Sequence, residues 1–143
     1  MILPDVNVLV YAHRHDALGH VAHAHWLTSV AEGGESFSLS AATVAGFVRI
    51  VTHPRIFEQP TATTVAFEFL DALAASPSCR WLEPADRWST IFADLCRKVG
   101  ARGNLVPDAA LAALAIEHHC RLASADTGFA RFPGLSWFRP TDE

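Results

Sequence analysis

The sequence predicts an α/β fold: a three-layer α/β/α sandwich around a mainly parallel sheet of four to five strands. Two observations predict it. Short apolar runs alternate along the chain with longer segments of helical period, the pattern left by right-handed β-α-β crossovers. The chain also has 143 residues, half of them hydrophobic, enough to bury one core unaided and to form a single domain over 1–143.

Residues 2–4 read as a short buried strand, and residues 6–12 as a helix that follows at once. Asp5 stands between them, a carboxylate inside an apolar run. Leaving it unpaired in a core is costly, so the strand should end there and a cavity should open. A polar loop over 13–16 leads to a helix over 20–31, ended by Gly33 and Gly34. Residues 37–39 make the second strand. Ser40 is a good cap for a helix with Val44, Phe47, Val48 and Val51 on one face, stopped by His53-Pro54.

The next helix spans 61–75, with Ala62, Val65, Ala66, Phe69, Leu70 and Leu73 on one face and Phe67 off that stripe. Residues 80–82 are the third strand. Asp86 is expected to cap a helix striped by Trp88, Ile91, Phe92, Leu95 and Val99 and closed by Gly100. After a turn at Gly103-Asn104, a helix over 105–119 carries Pro107 and Asp108 in its first turn. Residues 121–125 form the fourth strand, 129–132 a short helical turn, and 135–138 a fifth strand.

Charge and cysteine usage narrow the function. Eleven basic and fifteen acidic side chains give a net charge of −4, which excludes nucleic-acid binding by general basicity. Cys79, Cys96 and Cys120 are scattered, odd in number and without metal spacing, as expected in a reducing compartment. The N-terminus has no basic region or signal-like cleavage site, and no apolar run approaches membrane-spanning length. A cytoplasmic protein without a membrane span is expected.

Three acids fall at element ends that this topology can unite. Asp5 ends the first strand and Asp126 the fourth, while Asp108 opens the helix that leads into the fourth strand. If strands one and four are neighbours, the acids share one edge. Clustered carboxylates repel unless a cation neutralises them, and oxygen ligands suit Mg²⁺ or Mn²⁺. Taken singly, Asp126 before Thr-Gly is also a turn residue, and Asp108 also complements a helix dipole.

Three segments carry a family resemblance. Asp5-Val-Asn-Val-Leu-Val-Tyr-Ala12 resembles the opening motif of PIN-domain ribonucleases. Asn104-Leu-Val-Pro-Asp-Ala-Ala-Leu-Ala-Ala-Leu-Ala115 resembles their third motif, and Ser124-Ala-Asp-Thr-Gly-Phe129 their fourth. Gly46-Phe-Val-Arg-Ile-Val-Thr-His-Pro54 and Phe129-Ala-Arg-Phe-Pro-Gly-Leu135 look like VapC toxins of bacterial toxin–antitoxin pairs.

The resemblance implies Asp5, Asp108 and Asp126 as catalytic, metal-binding acids. It also implies Ser124 as a supporting hydroxyl and Asn7 as a supporting polar group. It further implies Mg²⁺- or Mn²⁺-dependent cleavage of RNA, a VapB-type antitoxin and a homodimer. Two departures stand out: many members carry a glutamate where residues 42–46 hold no acid, and a further aspartate where this chain has Gly128. A non-catalytic binding module that kept the partner surface is therefore the alternative.

Arg49 and Arg55 are expected RNA-phosphate contacts, with ion pairing to Glu58 as the competing role. His13, His15, His20, His23 and His25 invite a zinc reading, but no Cys or HExxH pattern supports it. They are expected to be surface or interface residues.

Overall fold

A computed structural model describes residues 1–142 of the chain. The first strand, β1 (Ile2–Pro4), passes through Asp5 into α1 (Val6–His13), followed by α2 (His20–Glu32). Next come β2 (Phe37–Ser40), α3 (Ala41–Val51), α4 (Thr63–Ala74), β3 (Cys79–Leu82) and α5 (Trp88–Val99). The C-terminal part holds α6 (Leu105–Glu117), β4 (Arg121–Ala123), a 3₁₀ turn (Thr127–Arg131), β5 (Ser136–Phe138) and a last 3₁₀ turn (Pro140–Asp142).

The five strands form one sheet in the order β3-β2-β1-β4-β5, and every pairing is parallel. The expected neighbourhood of strands one and four is present: Ile2, Leu3 and Pro4 stand opposite Arg121, Leu122 and Ala123. Strand order reverses at this pair, so a crevice opens beyond its C-terminal ends.

Alternation along the strands sends side chains to two cores. Ile2, Phe37 and Leu39 join Val8, Leu9, Trp26, Phe47 and Leu70 on one side, covered by α1 to α4. Leu3, Leu82 and Leu122 join Leu95, Leu111 and Phe129 on the other, covered by α5 and α6. The predicted sandwich is thus observed, with five strands.

Several element ends differ from expectation, each for a tertiary reason. Ser40 caps α3 as predicted, in a reciprocal box with Thr43: Thr43 N donates to Ser40 Oγ, and Ser40 N to Thr43 Oγ1. Asp86 does not cap α5. No side chain caps it; the buried Glu117 carboxylate of α6 instead holds the turn that leads into it, accepting from the backbone N–H groups of Ala85 and Arg87, each at 2.9 Å. The fourth helix begins at Thr63, not 61, because Thr61 is held elsewhere. Its N–H donates to Val51 O at 2.7 Å, and its hydroxyl meets His13 Nε2 and Arg14 Nη1. Val65, placed on the apolar stripe, is exposed.

Candidate active site

The geometry starts at Asp5, which is both the last rung of a strand and the first cap of a helix. Its N–H donates to Ala123 O at 2.8 Å, extending the β1–β4 ladder by one bond. Its Oδ1 accepts from Val6 N at 2.7 Å, satisfying a donor that the start of α1 leaves free. The β4 strand stops at Ala123 because the next residue, Ser124, turns its hydroxyl into the crevice.

Ser124 is completely buried and uses its whole hydrogen-bonding capacity. Its Oγ donates to Asp5 Oδ2 at 2.7 Å and accepts from Asn7 Nδ2 at 3.1 Å and Asp126 N at 3.0 Å. Asn7 closes the loop by accepting from Ala125 N through Oδ1. Trp137 Nε1 fastens the Ser124 carbonyl from β5. A single hydroxyl therefore fixes both Asp5 and the backbone that presents Asp126. Asp126 caps the following 3₁₀ turn, its Oδ1 accepting from Gly128 N at 2.7 Å.

Asp108 looks onto the same region from the first turn of α6. Burial, reinforced by the charges of Asp5 and Asp126, pushes its carboxyl up to about 6, while Arg131 pulls the other way. Burial also raises Asp5, opposed by its bonds from Ser124 and Val6, with Asp126 adding repulsion. The three acids predicted from sequence are electrostatic neighbours, and the raised proton affinity of Asp5 and Asp108 marks a place that favours added positive charge.

Beside them lies a cavity of about 230 Å³ lined by Asp5, Asp108, Arg49, Ala42, Thr43 and Gly46, among others. Gly46 is there because α1 and α3 touch: a β-carbon on it would lie 2.8 Å from Val6 Cγ2. Ala42, Thr43 and Gly46 thus give the cavity an acid-free wall. Gly128 faces a similar constraint, since a β-carbon there would lie 2.9 Å from Asp126 Oδ1.

Arg49 lines the cavity, whereas Arg55 is exposed beyond α3 and is not among its lining residues. Arg131 was not anticipated. The signal was present, because a 3₁₀ turn places residue i+3 over residue i. Arg131 Nε accordingly donates to Gly128 O at 2.9 Å. A larger hollow of about 590 Å³ lies between residues 13–16 and 58–65, but there Arg14 is committed to Asp16 and to Gln59 O. Three of these histidines make structural bonds: His13 meets Thr61 Oγ1, His20 Nδ1 meets Tyr11 O, and His23 Nδ1 meets Gly19 O. His23 is buried, contrary to the expected surface position, because α2 packs it against Tyr11.

Among the described residues, no three His, Cys, Asp or Glu side chains close into a ready-made ion cage. The donor set nevertheless fits a hard divalent ion. Its ligands are all oxygen, and Mg²⁺ keeps several waters while taking only one or two carboxylates directly.

Comparisons with known proteins give the family. The PIN domain family matches residues 2–135. The chain belongs to the PIN-domain family. The chain is 43% identical to VapC ribonuclease Mb2897 of Mycobacterium bovis, over 99% of this chain and 97% of that one. It is 39% identical to ribonuclease VapC25 of Mycobacterium tuberculosis, over 98% and 99% of the two chains.

Among solved structures, the PIN fold superposes on VapBC2 from Rickettsia felis bound to a promoter DNA fragment. The TM-score is 0.71 at 18% identity, covering 97% of this chain and 98% of that one. The FitAcB structure from Neisseria gonorrhoeae gives 0.68 at 24% identity, covering 98% of each. Among the described residues, no helix of this PIN domain is long and apolar enough to cross a membrane.

Proposed function

We propose that this chain is a metal-dependent endoribonuclease, the toxin of a toxin–antitoxin pair, acting in the cytoplasm as one PIN-like unit. The observation that carries the reading is the coupling of Asp5, Asp108 and Asp126 at the β1–β4 crevice. The similarity to proteins named VapC ribonucleases supports RNA as the substrate.

Bound Mg²⁺ or Mn²⁺ would supply a polarised water and positive charge for the phosphodiester. The chain's own part is preorganisation. Val6 N–H and the Ser124 hydroxyl fix the rotamer of Asp5, leaving further lone pairs on both oxygens. Gly128 N–H fixes Asp126. Asp108 accepts a proton more readily than a free carboxylate, and Arg49 on the cavity wall is a phosphate contact. Arg55 is a weaker contact, outside the cavity.

A VapB-type antitoxin and a second copy of the chain are the proposed partners. The solved VapBC2 complex supports the first. Exposed Phe67 and Trp81, which border one groove with Leu39 and Leu70, support apolar surface that a partner covers.

The direct test is cleavage of RNA in Mg²⁺ or Mn²⁺ by the natural protein beside Asp5→Ala, Asp108→Ala and Asp126→Ala. Equal cleavage by all four proteins would sink the proposal. A second reading, a catalytically weakened module that only binds partners, draws on the acid-free wall at 42–46 and on Gly128. It predicts antitoxin binding without cleavage of any RNA, and saturable Mg²⁺ binding abolished by Asp5→Ala would count against it.

A further inference from the structure

We infer that Arg131 is a substrate-binding residue: its guanidinium, held beside Asp108 and Asp126 by the Gly128 carbonyl, takes a phosphate of the bound RNA strand. The inference rests on the nuclease reading above and adds to it a residue that neither motif nor spacing assigned.

Gly128 anchors an acid and a cation through its two peptide groups. Its N–H donates to Asp126 Oδ1 at 2.7 Å, and its carbonyl accepts from Arg131 Nε at 2.9 Å. The two side chains close over the bare α-carbon, since a β-carbon there would lie 2.9 Å from Asp126 Oδ1 and 3.4 Å from Arg131 Nη2. The Nε bond orients the guanidinium plane. Among the described residues Arg131 forms no ion pair, and its Nη groups have no protein acceptor. Other arginines are spent differently: Arg14 on Asp16 and Gln59 O, Arg87 on Glu117 O, Arg80 on the carbonyls of Pro77 and Cys79.

The electrostatics call for such a group. Three carboxylates exceed the charge of one divalent ion, so an incoming phosphate meets residual negative charge. Arg131 is near enough to lower the proton affinity of Asp108 yet stands outside ion-pair contact with it. A fixed planar fork with free donors matches two phosphate oxygens. Arg49 on the cavity wall gives the strand another cation.

The test measures binding of a fluorescein-labelled, mixed-sequence, single-stranded 12-nucleotide RNA by anisotropy in chelator, over a series of KCl concentrations. Natural protein, Arg131→Gln, Arg131→Ala and Arg131→Lys are compared, with circular dichroism melting as the check on folding. Loss of the fork should weaken binding about tenfold in Arg131→Gln and Arg131→Ala. The log–log salt slope should flatten by about 0.7, one phosphate contact on a single strand. Arg131→Lys should keep the slope and recover part of the affinity.

Unchanged affinity and slope in folded Arg131→Gln would overturn the inference, leaving Arg131 as a charge balance for the acids. So would undetectable binding by the natural protein in chelator, because the guanidinium is proposed to hold phosphate without help from a metal. If the natural protein cleaves RNA while these outcomes appear, only the role of Arg131 fails. If Asp5→Ala cleaves as well as the natural protein, the nuclease reading fails instead.

Discussion

Ser124 Oγ donates to Asp5 Oδ2 at 2.7 Å across 119 residues of sequence, joining the end of β1 to the loop after β4. Asp126 N and Asn7 Nδ2 converge on the same oxygen. The hydroxyl therefore lowers the cost of burying Asp5 and aims the backbone of Asp126.

Ser124→Ala should separate these roles. It removes a bond to a charged group and strands two part-buried donors, so urea unfolding should show a loss of about 1–2 kcal/mol. Asp5, already raised by burial, should rise further, because one of the two bonds that lower it is gone. Carbon-13 titration of the Asp5 carboxyl reads that shift, and an unmoved Asp5 would show that Ser124 does not govern its charge.

Asp108 makes the site costly to the empty protein. Its folded value of about 6 lies above the ordinary 3.8, so the folded state holds this proton more tightly than the unfolded chain. Stability from this group is complete below 3.8 and is lost as pH rises through the window to about 6. Asp108→Asn removes that loss. Without divalent ions at pH 7.5, the variant should melt roughly 2–5 °C higher, a modest gain because the carboxyl is only part-buried. The gap should narrow at pH 5, and cleavage by the natural protein should fall as pH drops through about 6. A variant that melts lower at pH 7.5 would contradict this account.

The sequence made local features legible and hid those that depend on distant partners. Strand-to-helix alternation and the Ser40 cap follow from neighbours and periodicity, and both are observed; that Asp5, Asp108 and Asp126 lie near one another also needed the β1–β4 pairing. The entry into α5 does not follow, because the turn before it is held by Glu117 some thirty residues later in the chain. Asp86 has the right chemistry nearby, but the carboxylate from the packed α6 wins. Arg131 lies within a segment that resembles VapC toxins, but its bond to Gly128 O depends on the i+3 spacing of a 3₁₀ turn that the sequence pattern does not announce.

That long-range anchor is itself testable. Glu117 accepts two backbone bonds through separate oxygens while nearly buried. Glu117→Gln turns one acceptor into a donor facing another donor. Urea unfolding should show a loss of about 2–3 kcal/mol, with Asp86→Ala close to neutral. Equal losses in the two variants would restore Asp86 as the cap.

The glycine at position 46 in the cavity wall has a packing cause that a double-mutant cycle can isolate. Gly46 sits on α3 where it meets α1, and its missing β-carbon makes room for Val6 Cγ2, which would otherwise be 2.8 Å away. Val6 is also the residue whose N–H holds Asp5 Oδ1. Gly46→Ala should therefore cost about 1–3 kcal/mol by overpacking and also disturb Asp5. Val6→Ala removes the clashing methyl groups and keeps the N–H. The double variant should be more stable than the sum of the single losses predicts, by about 1 kcal/mol, and should recover RNA cleavage relative to Gly46→Ala. Strict additivity in both stability and cleavage would mean that the helix contact does not set the geometry of Asp5.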